Sequence, residues 1–438
     1  MTKTRTVTAA PAGRSRPEPS RLRSGPVNLA VLAACAAFLA VFSPATAPLA
    51  EEPPADPDLS IEGMGKVGPF HIAPTIVLKD FGYDDNVFYG TEEDRQGDYT
   101  ATIAPGLRAL LLGRHRGGLV IDQSYDFVSF MTNSQLDHWN AHARARGILL
   151  AGPSVLSLEA GFNSVRERPS SEIDTRVRLE SNTLVGEART RLSGRLNGVA
   201  SVGHTTLRYV SGDNVERISE SLDRDESTLT LTGELKLRPR TVFFVEGAVT
   251  ETDFTSPREV RDTTAFSVMP GVRMDTSSPI QGEIKAGIIS LDAPDRDEIS
   301  PNPGHDRDYR GLVGAGAISV RLGSRSRAKL TGGRSLPFTT LSSNLYAVQT
   351  EWSASVEQFL TRRLSAELKH ADALLDYPEK VSGEYREDAV QTWEILVHYK
   401  LADQFAVTVS GQHQVRDSSD DTLDRDRNLI AFGTSIGL

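Results

Sequence analysis

Alternation of apolar and polar residues runs through the chain from about Phe70 to its last residue. Between residues 228 and 238, every second residue is leucine or glycine, and the residues between them are threonine, glutamate, lysine or arginine. On a β-strand successive side chains point to opposite faces, so such a segment has one apolar and one polar face. Residues 51–438 show no convincing helical spacing with caps. The pattern predicts an all-β protein.

Short turns and long polar segments alternate strictly between the predicted strands. Nine connections are long, such as residues 164–174 and 291–308, and eight are short, such as residues 193–197 and 401–404. Outer-membrane barrels have an even number of strands, short periplasmic turns and longer external loops. We therefore predict a transmembrane, antiparallel, up-and-down β-barrel of about 18 strands (16–18), with both termini in the periplasm.

Composition limits how this chain can cross a membrane. Only 39% of its 438 residues are hydrophobic, which excludes a bundle of transmembrane helices. Inside lipid every backbone polar group needs an internal partner, and only helices and closed barrels meet that condition. A barrel wall needs apolar residues on one face only, so the low hydrophobic fraction is compatible with a barrel. The single cysteine, Cys35, excludes disulfides and multi-cysteine zinc sites.

The first 50 residues have the order of a secretory signal, which is basic, then apolar, then small. The apolar run is shorter than the roughly 20 residues that a spanning helix needs. Cleavage is expected near Ala45 or Ala50, and a retained anchor is the alternative. The predicted parts are a signal peptide (1–50), a short periplasmic tail (51–66) and an outer-membrane barrel (67–438).

Export changes the net charge of the chain. Removing residues 1–50 takes away six of the 48 basic residues and one of the 58 acidic residues, so the net charge falls from −10 to about −15. Such a chain lacks the basic face that nucleic-acid phosphates need. We expect contacts with outer-membrane lipid and lipopolysaccharide instead, in the cell outer membrane of a Gram-negative-type bacterium.

The last residues resemble the C-terminal assembly signal of bacterial outer-membrane barrels. Gly433, Ile436 and Leu438 match its glycine, hydrophobe and terminal hydrophobe, although leucine replaces the usual terminal aromatic residue. The match predicts recognition by the barrel assembly machinery. The alternative is an ordinary last strand of a periplasmic β-sandwich.

Arginine dominates the basic residues on the polar faces of the predicted strands. Of the 48 basic residues 39 are arginine, whose planar fork suits carboxylates, phosphates or sugar hydroxyls. Two explanations stay open: ladders in which arginine and glutamate satisfy one another, or a stripe that steers anions or binds sugars. The candidate lumen residues that contact solute are His138, His142, Arg144, Arg146, Arg176, Arg178, Lys236 and Arg238.

No motif points to catalysis. His138 and His142 would lie about 13 Å apart on a strand, too far to ligate one ion. The segment Gly314-Ala315-Gly316 lacks the third glycine of a dinucleotide fingerprint, and no Gly-x-Ser-x-Gly elbow occurs. We predict neither an enzyme nor a cofactor, with a barrel lipase, deacylase or protease as the alternative.

Acidic clusters in two long loops are candidates for binding divalent cations. Hard carboxylate oxygens suit Ca²⁺ or Mg²⁺. A solvated, mutually repelling loop surface is the alternative. The candidate ligands are Asp292, Asp295, Asp297 and Glu298 in one loop, and Asp420 and Asp421 in another.

Two motifs open the predicted barrel: residues 68–74 read Gly-Pro-Phe-His-Ile-Ala-Pro, and residues 82–88 read Gly-Tyr-Asp-Asp-Asn-Val-Phe. With two later Pro-Gly-x-Arg segments, at residues 105–108 and 270–273, they resemble the outer-membrane β-barrel porins often found with bacterial exopolysaccharide and capsule loci. The resemblance implies a channel that exports an extracellular polysaccharide together with polysaccharide export proteins. The alternatives are an uptake porin for small hydrophilic or anionic solutes and a plugged structural or adhesive barrel.

Some motif residues carry a physical expectation of their own. Pro105 and Pro270 have no N–H, so we expect a bulge or a distorted register there. The acidic pair and asparagine of the second motif, residues 84–86, are expected to shape the first external turn. A change of phase between Asn182 and Glu187 indicates a further bulge.

Overall fold

The computed structural model describes residues 59–437 of the chain. Residues left undescribed within that span are 62, 114–116, 169, 171, 213–214, 256–260, 275–278, 294–307, 342–343, 380, 382–383 and 403. The predicted signal peptide and Leu438 lie outside the described residues. Among the described residues, no helix has the length and apolar character to cross a membrane.

Nineteen antiparallel strands of the described chain form one closed sheet in which each strand pairs with its neighbours in sequence. Strand β1 (Gly65–Val67) pairs with β2, as a short extension of the wall. The wall strands are β2 (Phe70–Asp84), β3 (Asp98–Gly113), β4 (Gly117–Phe130), β5 (His138–Ala151), β6 (Ser154–Glu167), β7 (Val177–Arg191), β8 (Leu196–Gly212), β9 (Arg224–Arg238), β10 (Thr241–Phe254), β11 (Thr263–Met274), β12 (Ile280–Asp292), β13 (Tyr309–Arg321), β14 (Ser326–Ser335), β15 (Val348–Phe359), β16 (Leu364–Asp376), β17 (Glu387–Ala402), β18 (Phe405–Ser418) and β19 (Arg425–Gly437). The prediction of an all-β barrel with 18 wall strands is confirmed.

Connections of two lengths lie at opposite ends of the barrel, because successive strands run in opposite directions. The long ones are residues 85–97, 131–137, 168–176, 213–223, 255–262, 293–308, 336–347, 377–386 and 419–424, and the fourth contains helix α1 (Val215–Leu222). Each overlaps a predicted long loop. The end that carries the long connections is the external end in barrels of this type.

Large apolar side chains cover the outer face of the wall instead of a central core. Leu312 is 69% exposed and Ile430 is 67% exposed, and many other leucine, isoleucine and aromatic side chains share that face. An outward apolar band of this kind is what a barrel presents to lipid. The buried apolar clusters lie mainly among the long connections, for example around Val87, Phe130 and Leu136.

Proline interrupts the ladder at the two predicted positions. Between β3 and β4 the pairing stops on either side of Pro105, and between β11 and β12 it stops on either side of Pro270. The register is the same before and after each gap. The missing N–H therefore removes ladder bonds locally but does not insert a bulge.

Pairing between the first and last wall strands closes the barrel. Strand β19 runs antiparallel to β2 from Leu429 opposite Asp84 to Gly437 opposite Thr75, with one irregularity. We call this pairing the seam. No wall strand in the described barrel is left with an unpaired edge, so the wall meets the condition that lipid imposes on backbone groups.

The second opening motif ties the first external loop to the seam. Asp84 accepts three hydrogen bonds from the Arg427 guanidinium, at 2.6–3.0 Å. Asp85 accepts bonds from the backbone and side-chain nitrogens of Asn428, both at 2.7 Å. Asn86 accepts a bond from its own loop, at Gly90. The expectation that residues 84–86 shape this turn is confirmed.

We expect Asp84→Ala to weaken the seam. Asp84 is only 1% exposed, and its loss leaves the largely buried guanidinium of Arg427 without its carboxylate, at a cost of roughly 3 kcal/mol. Urea unfolding of the refolded barrel in micelles, followed by tryptophan fluorescence, should show a lower midpoint. Asp421→Ala removes an exposed acid and serves as the matched control, and equal midpoints for the two variants would contradict the role of Asp84.

Candidate functional site

Arginine and carboxylate side chains alternate along the lumen face of β3 to β6. Asp122 lies 3.5 Å from both Arg108 and Arg144, and Glu159 lies 3.1 Å from Arg144 and 3.9 Å from Arg146. Opposite charges on neighbouring strands stabilise the pairing of those strands. These five residues form one ladder, as the first of the two explanations for the arginines requires.

A second ladder is built around a buried carboxylate. Glu234 is 2% exposed and lies 2.8 Å from Arg189 and 2.9 Å from Arg273. Arg273 also donates to Glu283 at 2.6 Å. A buried carboxylate with two guanidinium partners keeps its charge compensated inside the wall.

Both Pro-Gly-x-Arg segments place an arginine on the lumen face directly opposite an acid. Arg108 pairs in register with Asp122, and Arg273 pairs in register with Glu283. A Cβ at Gly271 would overlap the Phe244 ring, so the glycine of that segment makes room for an aromatic side chain beside the arginine. Each Pro-Gly-x-Arg segment thus positions an arginine in the lumen beside an acidic partner.

Most of the predicted solute-contact residues line the lumen. His138, His142, Arg144, Arg146 and Lys236 lie on the face opposite the exposed apolar belt, whereas Arg238 follows a register shift at the end of β9 and pairs with Thr241. Arg176 lies at the external mouth, where its guanidinium donates to the Val87 carbonyl and lies over the Phe130 ring. The contact of these residues with solute stays a prediction.

Arg178 is placed differently from the prediction. Its guanidinium lies over the ring of Trp139, on the outer face, and donates to the Trp139 carbonyl at 2.9 Å. Near the external end the outer face extends beyond the hydrocarbon, and an arginine such as Arg178 can cover an aromatic side chain there.

The bulge expected between Asn182 and Glu187 is not present. Strand β7 pairs with β6 without a break through those residues.

The acidic loop residues remain partly undescribed. Asp295, Asp297 and Glu298 lie outside the described residues, and Asp292 ends β12. Asp421 is exposed, and the carboxylate of Asp420 accepts bonds from the hydroxyl and backbone nitrogen of Thr422, which lower its pKa. Within the described part of the chain, no group of three metal-ligating side chains is found.

Two of the predicted assembly-signal residues lie on the last strand. Gly433 falls where the pairing of β19 with β2 is irregular, and Ile436 pairs with Ile76 on the outer face. Leu438 lies outside the described residues. Recognition by the assembly machinery stays a prediction.

One external loop crosses the mouth of the barrel. Residues 336–347, the crossing loop, connect β14 to β15, yet Thr340 donates from its backbone nitrogen and hydroxyl to Glu172, at 2.9 and 3.1 Å. Glu172 lies after β6, eight strands away in a ring of 18 and therefore almost opposite. The mouth is consequently narrowed by loops bonded across its diameter.

Buried groups hold the crossing loop in place. Arg261 is fully buried and donates to the carbonyls of Thr339 and Leu345, at 2.6 and 3.2 Å. Phe338 packs edge-on against Phe254, with ring centres 5.0 Å apart. The crossing loop has only a short antiparallel pairing of its own, between Phe338 and Tyr346, and the buried arginine supplies a further donor to its carbonyls.

Two further loops meet beside the crossing loop around an arginine cluster. Asp174 lies 2.5 Å from Arg168 of its own loop, 3.5 Å from Arg416 on β18 and 3.1 Å from Arg425 on β19. Tyr89, from the loop 85–97, lies against the same cluster. Tyr89, Arg168, Arg416 and Arg425 line a cavity of about 340 Å³ at the mouth.

Tyr89 adopts a left-handed backbone conformation, with φ of 54°. Its carbonyl accepts a bond from Arg425 at 2.7 Å, and its ring lies 4.6 Å from the Arg168 guanidinium and 5.2 Å from that of Arg427. Cation–π contacts of this kind offset the roughly 1 kcal/mol that such a backbone conformation costs. The loop 85–97 therefore inserts toward the passage and is held there by arginines.

The family described as "Putative beta-barrel porin 2" matches residues 61–436. The chain belongs to this family. It is an outer-membrane β-barrel porin, so the resemblance drawn from the opening motifs is confirmed at the level of a porin family, and membership of a channel family fits a transport protein. Among curated proteins, none gives a significant match.

Several solved channel structures have similar folds at low sequence identity. OccK2 (OpdF) of Pseudomonas aeruginosa is 10% identical, with a TM-score of 0.48 over 84% of this chain and 98% of that one. OpdK of the same organism, solved with vanillate, is 10% identical with a TM-score of 0.46 over the same shares. OccAB3 of Acinetobacter baumannii is 9% identical, with a TM-score of 0.47 over 84% and 99%.

The arginine cluster at the external mouth was not identified from the sequence. Arg168, Arg416, Arg425 and Arg427 lie in or beside long loops, which the sequence pattern marks only as polar and acidic. A period of two orients residues within a strand but carries no information on which loops meet. The one available signal was the density of arginine at residues 416–427, where three arginines occur among twelve residues.

We expect Glu234→Gln to destabilise the porin by about 2 kcal/mol, because the amide removes the charge that two arginines share. The urea midpoint should fall, and the reversal potential in a KCl gradient should shift toward anion selectivity. Glu367→Gln is the matched control, since Glu367 faces the like charge of Glu357 across β15 and β16 and its neutralisation should not destabilise. Equal loss of stability in both variants would contradict the role given to Glu234.

Proposed function

We propose that this porin is a selective channel for small hydrophilic solutes, with selectivity located at its external mouth. The observation that carries the proposal is the bonding of the crossing loop to Glu172 on the opposite side of the barrel. A passage spanned in this way favours small solutes over a polymer. Loops that fold into a barrel to narrow it are a common way for a scaffold to carry function.

The charge distribution supports the same location for selectivity. Along the wall, the arginines of the two ladders lie beside carboxylates, so their fields largely cancel beyond a Debye length. At the mouth, arginines outnumber the carboxylates that they contact. A low-dielectric constriction with one sign of charge focuses the field on a passing solute.

Export of an extracellular polysaccharide is the second candidate. The opening motifs at residues 68–74 and 82–88 favour it, because they resemble porins found with polysaccharide loci. In that case the crossing loop would have to withdraw, and polysaccharide export proteins would be the partners. Divalent cations held by the acidic loops, and contact of the outer face with lipopolysaccharide, are proposals common to both candidates.

Solute size separates the two candidates in reconstituted vesicles. We expect proteoliposomes to swell in galactose and not in a dextran, and we expect discrete single-channel currents in planar bilayers. Passage of dextran would favour export. A barrel that gives neither swelling nor current would contradict both channel functions and favour the plugged structural barrel.

Release of the crossing loop should enlarge the passage. Arg261→Ala removes the buried donor that the carbonyls of Thr339 and Leu345 share, at a cost of about 1–3 kcal/mol, so the loop should detach part of the time. We expect a higher mean conductance and a larger size limit for swelling. Arg310→Ala, at an exposed arginine of β13, is the control, and an identical conductance in the two variants would show that the crossing loop does not limit passage.

A further inference from the structure

We infer that the external mouth contains a binding site for the carboxylate of a small organic acid, formed by Arg416 and Arg425 where Asp174 now lies. The inference rests on the proposed channel function and names the class of solute that the mouth selects. The carboxylate of Asp174 is paired with both wall arginines, and it therefore indicates that the site binds a carboxylate.

Asp174 joins an external loop to the barrel wall. Arg416 and Arg425 project from β18 and β19, which belong to the wall, whereas Asp174 and Arg168 belong to the loop 168–176. Arg168 also donates to the carbonyl of Ile173, within that loop. The wall arginines therefore contact a carboxylate that the loop presents and that a solute could present equally well.

Arg416 has unused hydrogen-bonding capacity although it is buried. The residue is 3% exposed and lines the cavity, and its Nε and Nη1 have no hydrogen-bond partner among the described residues. Its Nη2 donates to Asp388 at 3.1 Å, while Nη1 is 3.5 Å from Asp174, too long for a good hydrogen bond. A buried guanidinium with unpaired nitrogens indicates a ligand that completes its set of bonds.

Asp388 does not depend on Arg416 for its own partners. It accepts two bonds from Arg386, at 2.7 and 3.0 Å, and one from the hydroxyl of Ser418 at 2.5 Å. Four arginines, at positions 168, 386, 416 and 425, thus share two aspartates, while Asp426, which also lines the cavity, pairs with Arg95. The surplus positive charge remains beside the cavity and is directed at Asp174.

The cavity also fits the rest of a small polar acid. At about 340 Å³ it is of the size that small-molecule sites have. Gln414, Asn86 and Tyr89 line it together with the arginines and offer polar partners for hydroxyl groups. A planar guanidinium fork binds a carboxylate through two parallel bonds, which a tethered aspartate at 3.5 Å does not provide.

Binding of such an acid has a consequence for the loop. A solute carboxylate on Arg416 and Arg425 replaces Asp174, which keeps Arg168 as its partner within the loop. The loop 168–176 then loses this attachment to the wall. Binding of the solute at the mouth would therefore also release the loop 168–176 from the wall.

Galacturonate and galactose provide a test, because they differ by a carboxylate in place of a hydroxymethyl group. In proteoliposomes we expect wild-type protein to admit galacturonate faster than galactose, and in planar bilayers we expect galacturonate to block the KCl current in a saturable way. Arg416→Gln should lower the ratio of the two swelling rates and raise the half-blocking concentration about tenfold. Asp174→Asn should move both quantities in the opposite direction, because the internal competitor is lost.

Arg327→Gln is the control for charge, since it removes one arginine from the lumen wall near the periplasmic end, beside Glu357, and should leave the ratio unchanged. Arg416→Lys keeps the charge without the planar fork and should bind galacturonate more weakly than wild type. If galactose passes but neither Arg416→Gln nor Asp174→Asn changes the ratio of the two swelling rates, the carboxylate site is overturned and the channel function stands. Absence of swelling in both sugars, together with absence of current, would instead refute the channel, and equal block by inorganic phosphate would overturn the carboxylate class.

Discussion

A closed ladder of backbone hydrogen bonds is the constraint on which this molecule depends. A sheet in lipid cannot leave an edge open, so β19 must return to β2, and the apolar side chains must face outward. The barrel consequently has no central apolar core of the kind that stabilises soluble domains. Stability comes instead from the ladder, the seam and the contacts among the external loops.

The polar interior follows from the same constraint. Because apolar residues are needed outside, charged residues can be placed inside, but each of them must be compensated. Arginine suits this role, since one guanidinium can bridge two strands, as Arg273 does between Glu234 and Glu283. Where each arginine is paired with a carboxylate, the lumen wall carries little net charge. Around Arg416, where guanidinium nitrogens have no partner, the protein can form hydrogen bonds with a solute.

Periodicity was enough to predict the number of strands and the inward direction of residues such as Arg144 and Arg146, because both follow from the alternation along a single strand. The same reasoning failed at Arg178, whose charge predicted a position in the lumen although its guanidinium lies over Trp139 on the outer face. The mouth could not be predicted, because its contacts join residues as distant as Asp174 and Arg425, 251 positions apart. Loop composition identifies the available charges but not their partners.

The seam also sets an order of events during assembly. Asp84 leaves the secretion machinery long before Arg427, which lies 343 positions later, so the first loop cannot acquire its final geometry until the last strand is in place. The inserted position of Tyr89 depends on arginines of that same last strand. Contacts of such long range form late. The narrowed mouth is therefore a mark of completed insertion, and a barrel that stalls before its final strand would have neither a sealed wall nor a selective entrance.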